Sequence, residues 1–109
     1  MRVAITGATG FTGGHTLREL LKASHEPVAL IRSEEKLERT RDLHGLPEIE
    51  SVIGDITDRR SVEKLIDGCD AIIHTAAVAA TSRKSIPLIK ETNALGSKHV
   101  LELSSEAKL

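Results

Sequence analysis

Tyrosine and tryptophan are absent from the 109 residues, and Phe11 is the one aromatic side chain. No phenol can therefore take part in catalysis by this chain. Cysteine is almost absent as well. Cys69 stands alone, which excludes an intramolecular disulfide, and a lone thiol beside an apolar run reads as small core filler in a reducing compartment. No apolar run approaches the ~18 residues of a membrane-spanning helix. The chain opens on a strand-like segment rather than a basic stretch with an apolar core, so a soluble, cytoplasmic protein with no membrane partner is expected. Charge of one sign is also missing: 15 Lys and Arg face 16 Asp and Glu, for a net charge of -1. These charges are scattered, which gives no reason to expect nucleic acid as a partner. Histidines 15, 25, 44, 74 and 99 show no helical pairing that would assemble a metal site, so no metal is expected.

What is present is ordinary globular composition, 39% apolar and 28% charged, in a length suited to one domain over residues 1–109. Val3-Ala4-Ile5 is a short apolar run closed by a glycine-rich turn. After it, Leu17, Leu20 and Leu21 recur at helical spacing up to about Ser24. Pro27 opens a second strand, Val28-Ala29-Leu30-Ile31, where proline is tolerated as a first residue. Ser33 followed by Glu34 and Glu35 resembles a helix N-cap with acids in the first turn. Residues 34–42 form a mixed-charge helix surface, with Glu35 and Arg39 four apart, that fits a solvated face.

A third strand is expected over 49–53, and a helix from about Asp58, its N-cap, with Val62, Leu65 and Ile66 on one face and Gly68 as its stop. The fourth strand spans 70–74. A last helix over 86–105 carries Ile86, Ile89, Val100 and Leu103 on one stripe together with Asn93 and Gly96. Strands alternating with helices, and reading as continuous apolar runs, indicate an α/β fold with a parallel sheet covered on both faces. Right-handed crossovers then favour a doubly wound sheet.

Thr6-Gly7-Ala8-Thr9-Gly10-Phe11-Thr12-Gly13 occupies the handover from first strand to first helix. Glycines spaced in this way let the backbone turn tightly and approach a pyrophosphate. The free N–H groups and positive end of the helix dipole then stabilise the negative charge. A nucleoside-triphosphate loop would need a lysine followed by Ser or Thr at the helix start, and none is there.

The same stretch resembles the TGxxGxxG fingerprint of extended and atypical short-chain dehydrogenases/reductases, the family of nucleotide-sugar epimerases, dehydratases and related reductases. Gly54-Asp55-Ile56-Thr57-Asp58 resembles that family's segment after the third strand, and His74-Thr75-Ala76-Ala77 its alanine-rich end of the fourth. Pro87, Asn93 and Gly96 match its P…NxxG pattern, so the resemblance runs over most of the chain. It implies half of a doubly wound Rossmann fold, four parallel strands in the order 3-2-1-4, that binds NAD(P), with Gly7, Thr9, Gly10, Phe11, Thr12, Gly13, Arg32, Asp55, Ile56, Ala76 and Ala77 at the cofactor. Asp55 would hold the adenine ring, though it also reads as a solvated turn acid.

Cofactor choice follows from charge. The residue ending the second strand, about 20 positions past the glycine loop, is acidic for a free ribose 2′-hydroxyl and basic for a 2′-phosphate. Arg32 holds that place, which favours NADP over NAD, unless Arg32 is simply a solvated charge. By resemblance Asn93 supports a proton relay; read from the residues alone, it is equally a structural amide. The family's hydride chemistry needs a tyrosine with a lysine four positions on, and the chain contains no tyrosine. The domain is expected to stop before a fifth strand and not to turn over alone, leaving a dinucleotide-binding module without chemistry as the alternative. The fourth strand then becomes an apolar edge, Ala71-Ile72-Ile73, expected to pair with a second copy.

Overall fold

The computed structural model describes residues 1–75, without the Phe11 side chain, together with 98, 99 and 102. The order is β1 (Arg2–Thr6), α1 (Phe11–Lys22), β2 (Glu26–Ile31), α2 (Glu34–His44), β3 (Glu50–Ile53), α3 (Arg59–Ile66) and β4 (Ala71–His74). All strands are parallel and lie in the order β3-β2-β1-β4. This is the doubly wound arrangement the alternation predicts, in the strand order the resemblance implies.

Period-two alternation divides the core between the two sheet faces. Ala4, Val28 and Leu30 pack with Val62, Leu65 and Ile66 of α3. Ile5, Ala29 and Ile31 point the other way, against Leu17 of α1 and Leu37 of α2. The central strands β1 and β2 are almost wholly buried, whereas β3 and β4 are not: Ile53 is 61% exposed, and every β4 residue is half-buried. Continuous burial therefore holds for the middle of the sheet only.

Boundaries shift where local chemistry decides them. α1 stops at Lys22, short of the expected end, because Ser24 takes a left-handed conformation (φ 64°). Its N–H bonds to the Leu21 carbonyl at 3.1 Å, so it closes the helix as glycine usually does. Ser33 sits at the N-cap of α2 without a side-chain bond, while Asp58 caps α3 by accepting from the Arg60 N–H at 3.1 Å. Glu35 and Arg39 pair at 2.6 Å on an exposed face, as the pattern suggests.

At the amino ends of the strands, Arg2 forks onto Glu50, with both nitrogens 2.6 Å from carboxylate oxygens, tying β1 to β3 across the start of β2. The last helix of the sequence reading lies outside the described residues, apart from Lys98, His99 and Glu102, which are helical.

Candidate functional site

The carboxyl ends of the strands carry the residues singled out in the sequence. Between β1 and α1, Gly7 has φ 71°, a region side-chain-bearing residues avoid, and its carbonyl accepts from the Gly10 N–H at 3.1 Å. Gly13 lies in the first turns of α1, and a Cβ there would fall 1.8 Å from the Gly7 carbonyl oxygen. The helix thus rests directly on the turn. Gly10 is different: its backbone is extended (φ -81°, ψ 173°), and the nearest atom a Cβ would meet is the Gly7 oxygen at 3.4 Å. Neither conformation nor packing requires glycine at position 10.

Gly10 is the N-cap of α1, where no side chain caps the helix and no acid stands in the first turn. By contrast α2 has Glu34 and Glu35 there, and α3 has the Asp58 carboxylate. The first N–H groups of α1 are therefore the ones left for an external acceptor. Thr9 is half-buried beside them and Thr12 exposed. Phe11 opens the helix, and its side chain lies outside the described part.

Arg32 follows β2 and Asp55 follows β3, and the structure joins them: Arg32 Nη2 lies 3.4 Å from Asp55 Oδ2. Asp55 Oδ1 also accepts from the Thr57 N–H at 2.9 Å and its hydroxyl at 2.8 Å. The Thr57 N–H is the main cause holding the Asp55 carboxyl below its ordinary range, with the Thr57 hydroxyl and Arg32 adding to it against desolvation. Ile56 is buried, and its carbonyl accepts from His99 Nδ1 at 3.0 Å.

Sequence reading missed Thr57, Ser61 and the reason for Gly54. The Ser61 hydroxyl donates to Asp58 Oδ2 and accepts from the Asp55 N–H, each at 3.2 Å. A Cβ on Gly54 would lie 2.1 Å from Ser61 Oγ, so α3 sits against bare backbone. The available signal was the pairing of Asp58 with Ser61 three residues on, a capping pattern that also fastens the preceding loop.

At the end of β4, His74 Nδ1 and the Thr6 hydroxyl are 2.6 Å apart, and that same oxygen accepts from the Thr75 N–H at 3.1 Å. Burial lowers the His74 pKa, so at neutral pH the ring is uncharged. Because the folded value lies below the unfolded one, the unfolded chain binds the extra proton first. Stability from this group is full above about pH 6.5 and declines as pH falls through the folded value. Denaturant melts of the wild type and His74→Asn should therefore converge as pH falls below about 6.5; parallel curves would show that His74 titrates alike in both states.

Cys69 is half-buried, donates to the Leu65 carbonyl at 3.3 Å, and burial pushes its thiol pKa up, which makes it core rather than nucleophile. Among the described residues no group of His, Cys, Asp or Glu is arranged to hold a metal, and no helix is long and apolar enough to cross a membrane. Ala76, Ala77 and Asn93 lie outside the described residues.

Two grooves open beside these strand ends. A mainly apolar one of about 530 Å³ is lined by Thr9, Gly10, His15, Thr40, Leu43 and His44, with the two imidazoles edge-on at 4.8 Å. A polar one of about 620 Å³ runs from Arg32 and Asp55 to Arg60, Ser61 and Lys64.

A doubly wound parallel sheet with a glycine turn feeding an uncapped helix, at the point where strand order reverses between β1 and β4, is one half of a Rossmann fold. The chain belongs to the NAD dependent epimerase/dehydratase family, whose model matches residues 3–109. It is 44% identical over 78 residues to an uncharacterised protein of Schizosaccharomyces pombe, a match covering 72% of this chain and 25% of that protein. It is also 31% identical over 103 residues to a putative dihydroflavonol 4-reductase of Synechocystis, covering 94% of this chain and 29% of the relative. Among solved structures, UDP-glucose-4-epimerase from Stenotrophomonas maltophila, with bound NAD and formylated UDP-arabinopyranose, superposes with a TM-score of 0.84 at 27% identity. That match covers 100% of this chain and 34% of the epimerase. The chain spans about a quarter to a third of the length of these proteins.

Proposed function

We propose that residues 1–109 form one nucleotide-binding unit, the cofactor-holding portion of a cytoplasmic oxidoreductase, epimerase or dehydratase that uses NADP in preference to NAD. Gly10 carries this reading. It is a glycine demanded by neither backbone nor packing, placed on the one described helix whose N–H groups have neither cap nor acid. A diphosphate would bring the negative charge and the hydrogen-bond acceptors that those N–H groups call for. The similar epimerase that carries bound NAD supports a nicotinamide dinucleotide as the ligand. Gly7, Thr9, Phe11, Thr12 and Gly13 would surround the diphosphate, Asp55 and Ile56 the adenine, and Ala76 and Ala77 the remaining wall.

A nicotinamide ring supplies hydride transfer when bound. This chain contributes orientation of the dinucleotide, with Asn93 proposed as a polar support nearby. It offers no tyrosine for the accompanying proton; the second reading is a module that binds dinucleotide without turnover. Titration of the reduced cofactors, followed by their own fluorescence, separates the readings from an inert chain. Binding to wild type without turnover supports either of the first two, and no binding of either cofactor overturns both.

Arg32→Asp should weaken NADPH by roughly tenfold or more while leaving NADH nearly unchanged, since a charged hydrogen bond to phosphate contributes about 1.5–3 kcal/mol. Equal losses would show that Arg32 does not read the phosphate.

Among the described residues β4 is hydrogen-bonded to β1 alone. Its other edge is proposed to pair with a second copy of the chain. Sedimentation at micromolar concentration should return a dimer, and a monomer would remove the idea.

A further inference from the structure

Helix α3 breaks local electrostatic rules. Arg59 and Arg60 occupy its first turn, where the helix dipole disfavours positive charge, and Lys64 follows Arg60 by four residues, a spacing at which like charges repel. Arg59 is compensated by Glu63 at 3.5 Å and Glu102 at 2.9 Å. Arg60 and Lys64 are exposed and form no ion pair among the described residues. Both line the polar groove that begins at Arg32.

The acids of that groove are already engaged. Asp58 accepts from the Arg60 N–H and the Ser61 hydroxyl, and Asp55 from Thr57 and Arg32. At 3.4 Å between groups that are 60% and 43% exposed, the Arg32–Asp55 pair leaves most guanidinium donors available. Three cations thus converge on one groove at the carboxyl ends of β2 and β3. Arg60 stands in the first turn against the dipole of its own helix, and Lys64, although well placed in the last turn, lies at a repelling spacing from it, a pairing the fold does not need.

We propose that Arg60 and Lys64, on α3, act with Arg32 as specificity-determining residues for a phosphate on the ribose of the bound dinucleotide. This rests on the proposed function: with the diphosphate on α1, the adenosine ribose lies over the end of β2, beside Arg32. One arginine at the strand end reads the phosphate from one side, and the α3 cations close the groove from the other. The phosphate supplies the negative charge that the committed acids do not.

The test titrates the wild type, Arg60→Gln, Lys64→Gln and the double variant with NADPH, NADH, adenosine 2′-phosphate and adenosine 5′-phosphate. For the double variant the NADPH dissociation constant should rise roughly tenfold and that of adenosine 2′-phosphate in parallel, with NADH and adenosine 5′-phosphate within about twofold. The NADPH affinity of the wild type should also fall more steeply with salt than that of the double variant. Thermal melts should be nearly unchanged, because relief of the dipole conflict at Arg60 is offset by loss of the favourable last-turn charge of Lys64. If both dinucleotides bind and the double variant weakens them equally, or neither, the α3 cations do not read a phosphate while the dinucleotide reading stands. If the wild type binds neither dinucleotide, the proposed function itself fails and this inference with it.

Discussion

Gly10→Asp should make the protein more stable and abolish its affinity for dinucleotide. The substituted residue would sit at an extended N-cap position that aspartate favours, its Cβ meeting nothing closer than 3.4 Å. Its carboxylate would satisfy N–H groups of α1 that now lack a cap and would favour the positive end of the dipole, a gain of about 0.3–1 kcal/mol. The same carboxylate occupies the donors proposed for the diphosphate and repels its charge. Loss of two charged hydrogen bonds at about 1.5–3 kcal/mol each corresponds to at least a hundredfold in affinity. Thermal melting and cofactor titration of one variant should thus move in opposite directions. A destabilised variant would show that glycine at position 10 serves the fold after all, and unchanged affinity would place the diphosphate elsewhere.

Gly13→Ala should do the reverse, failing in the fold before binding can be asked about. A Cβ 1.8 Å from the Gly7 oxygen and 2.7 Å from the Ala8 Cα meets backbone, not a side chain that can rotate away. Relief requires α1 to lift from the turn, which draws Leu17, one of its own fully buried side chains, out of the core cluster. The cost should reach the upper part of the overpacking range, roughly 3 kcal/mol or more, which for a domain of this size lowers the melting temperature by about 4–8 °C per kcal/mol. Gly14→Ala is the internal control. Its Cβ would meet the His44 ring at 2.7 Å, the end of a side chain that can swing, and alanine gains about 1 kcal/mol over glycine inside a helix. Adjacent glycines should therefore differ sharply. Equal melting temperatures for the two variants would contradict the contact between helix and turn.

Periodicity carried most of the fold. Parallel pairing and the two helix-covered faces follow from apolar runs alternating with amphipathic stretches, while the strand order came with the family resemblance. Edges were less legible. Ile53 reads like the core residue Ile31 beside it, yet it is exposed because no strand lies beyond β3 among the described residues. Ser24 could not be foreseen as a left-handed residue either, since serine carries no sequence mark of positive φ.

At the site the glycine turn was readable because each glycine has a separate physical reason, although only coordinates show that Gly13 answers to packing and Gly10 does not. The Arg32–Asp55 pair was invisible: the two residues stand 23 apart in sequence and meet because β2 and β3 are neighbours in register. Thr57 and Ser61 were hidden for the opposite reason. Their bonds are local, and polar residues in a loop look alike until the hydrogen-bonding partner is known.

Backbone amide NMR of the chain titrated with NADPH tests the central claim most directly, because the account assigns the diphosphate to particular N–H groups. The amides of Gly10, Phe11, Thr12 and Gly13 should shift most, with Asp55 and Ile56 following as the adenine docks. Saturable shifts elsewhere, with the amides at the start of α1 unmoved, would contradict the account.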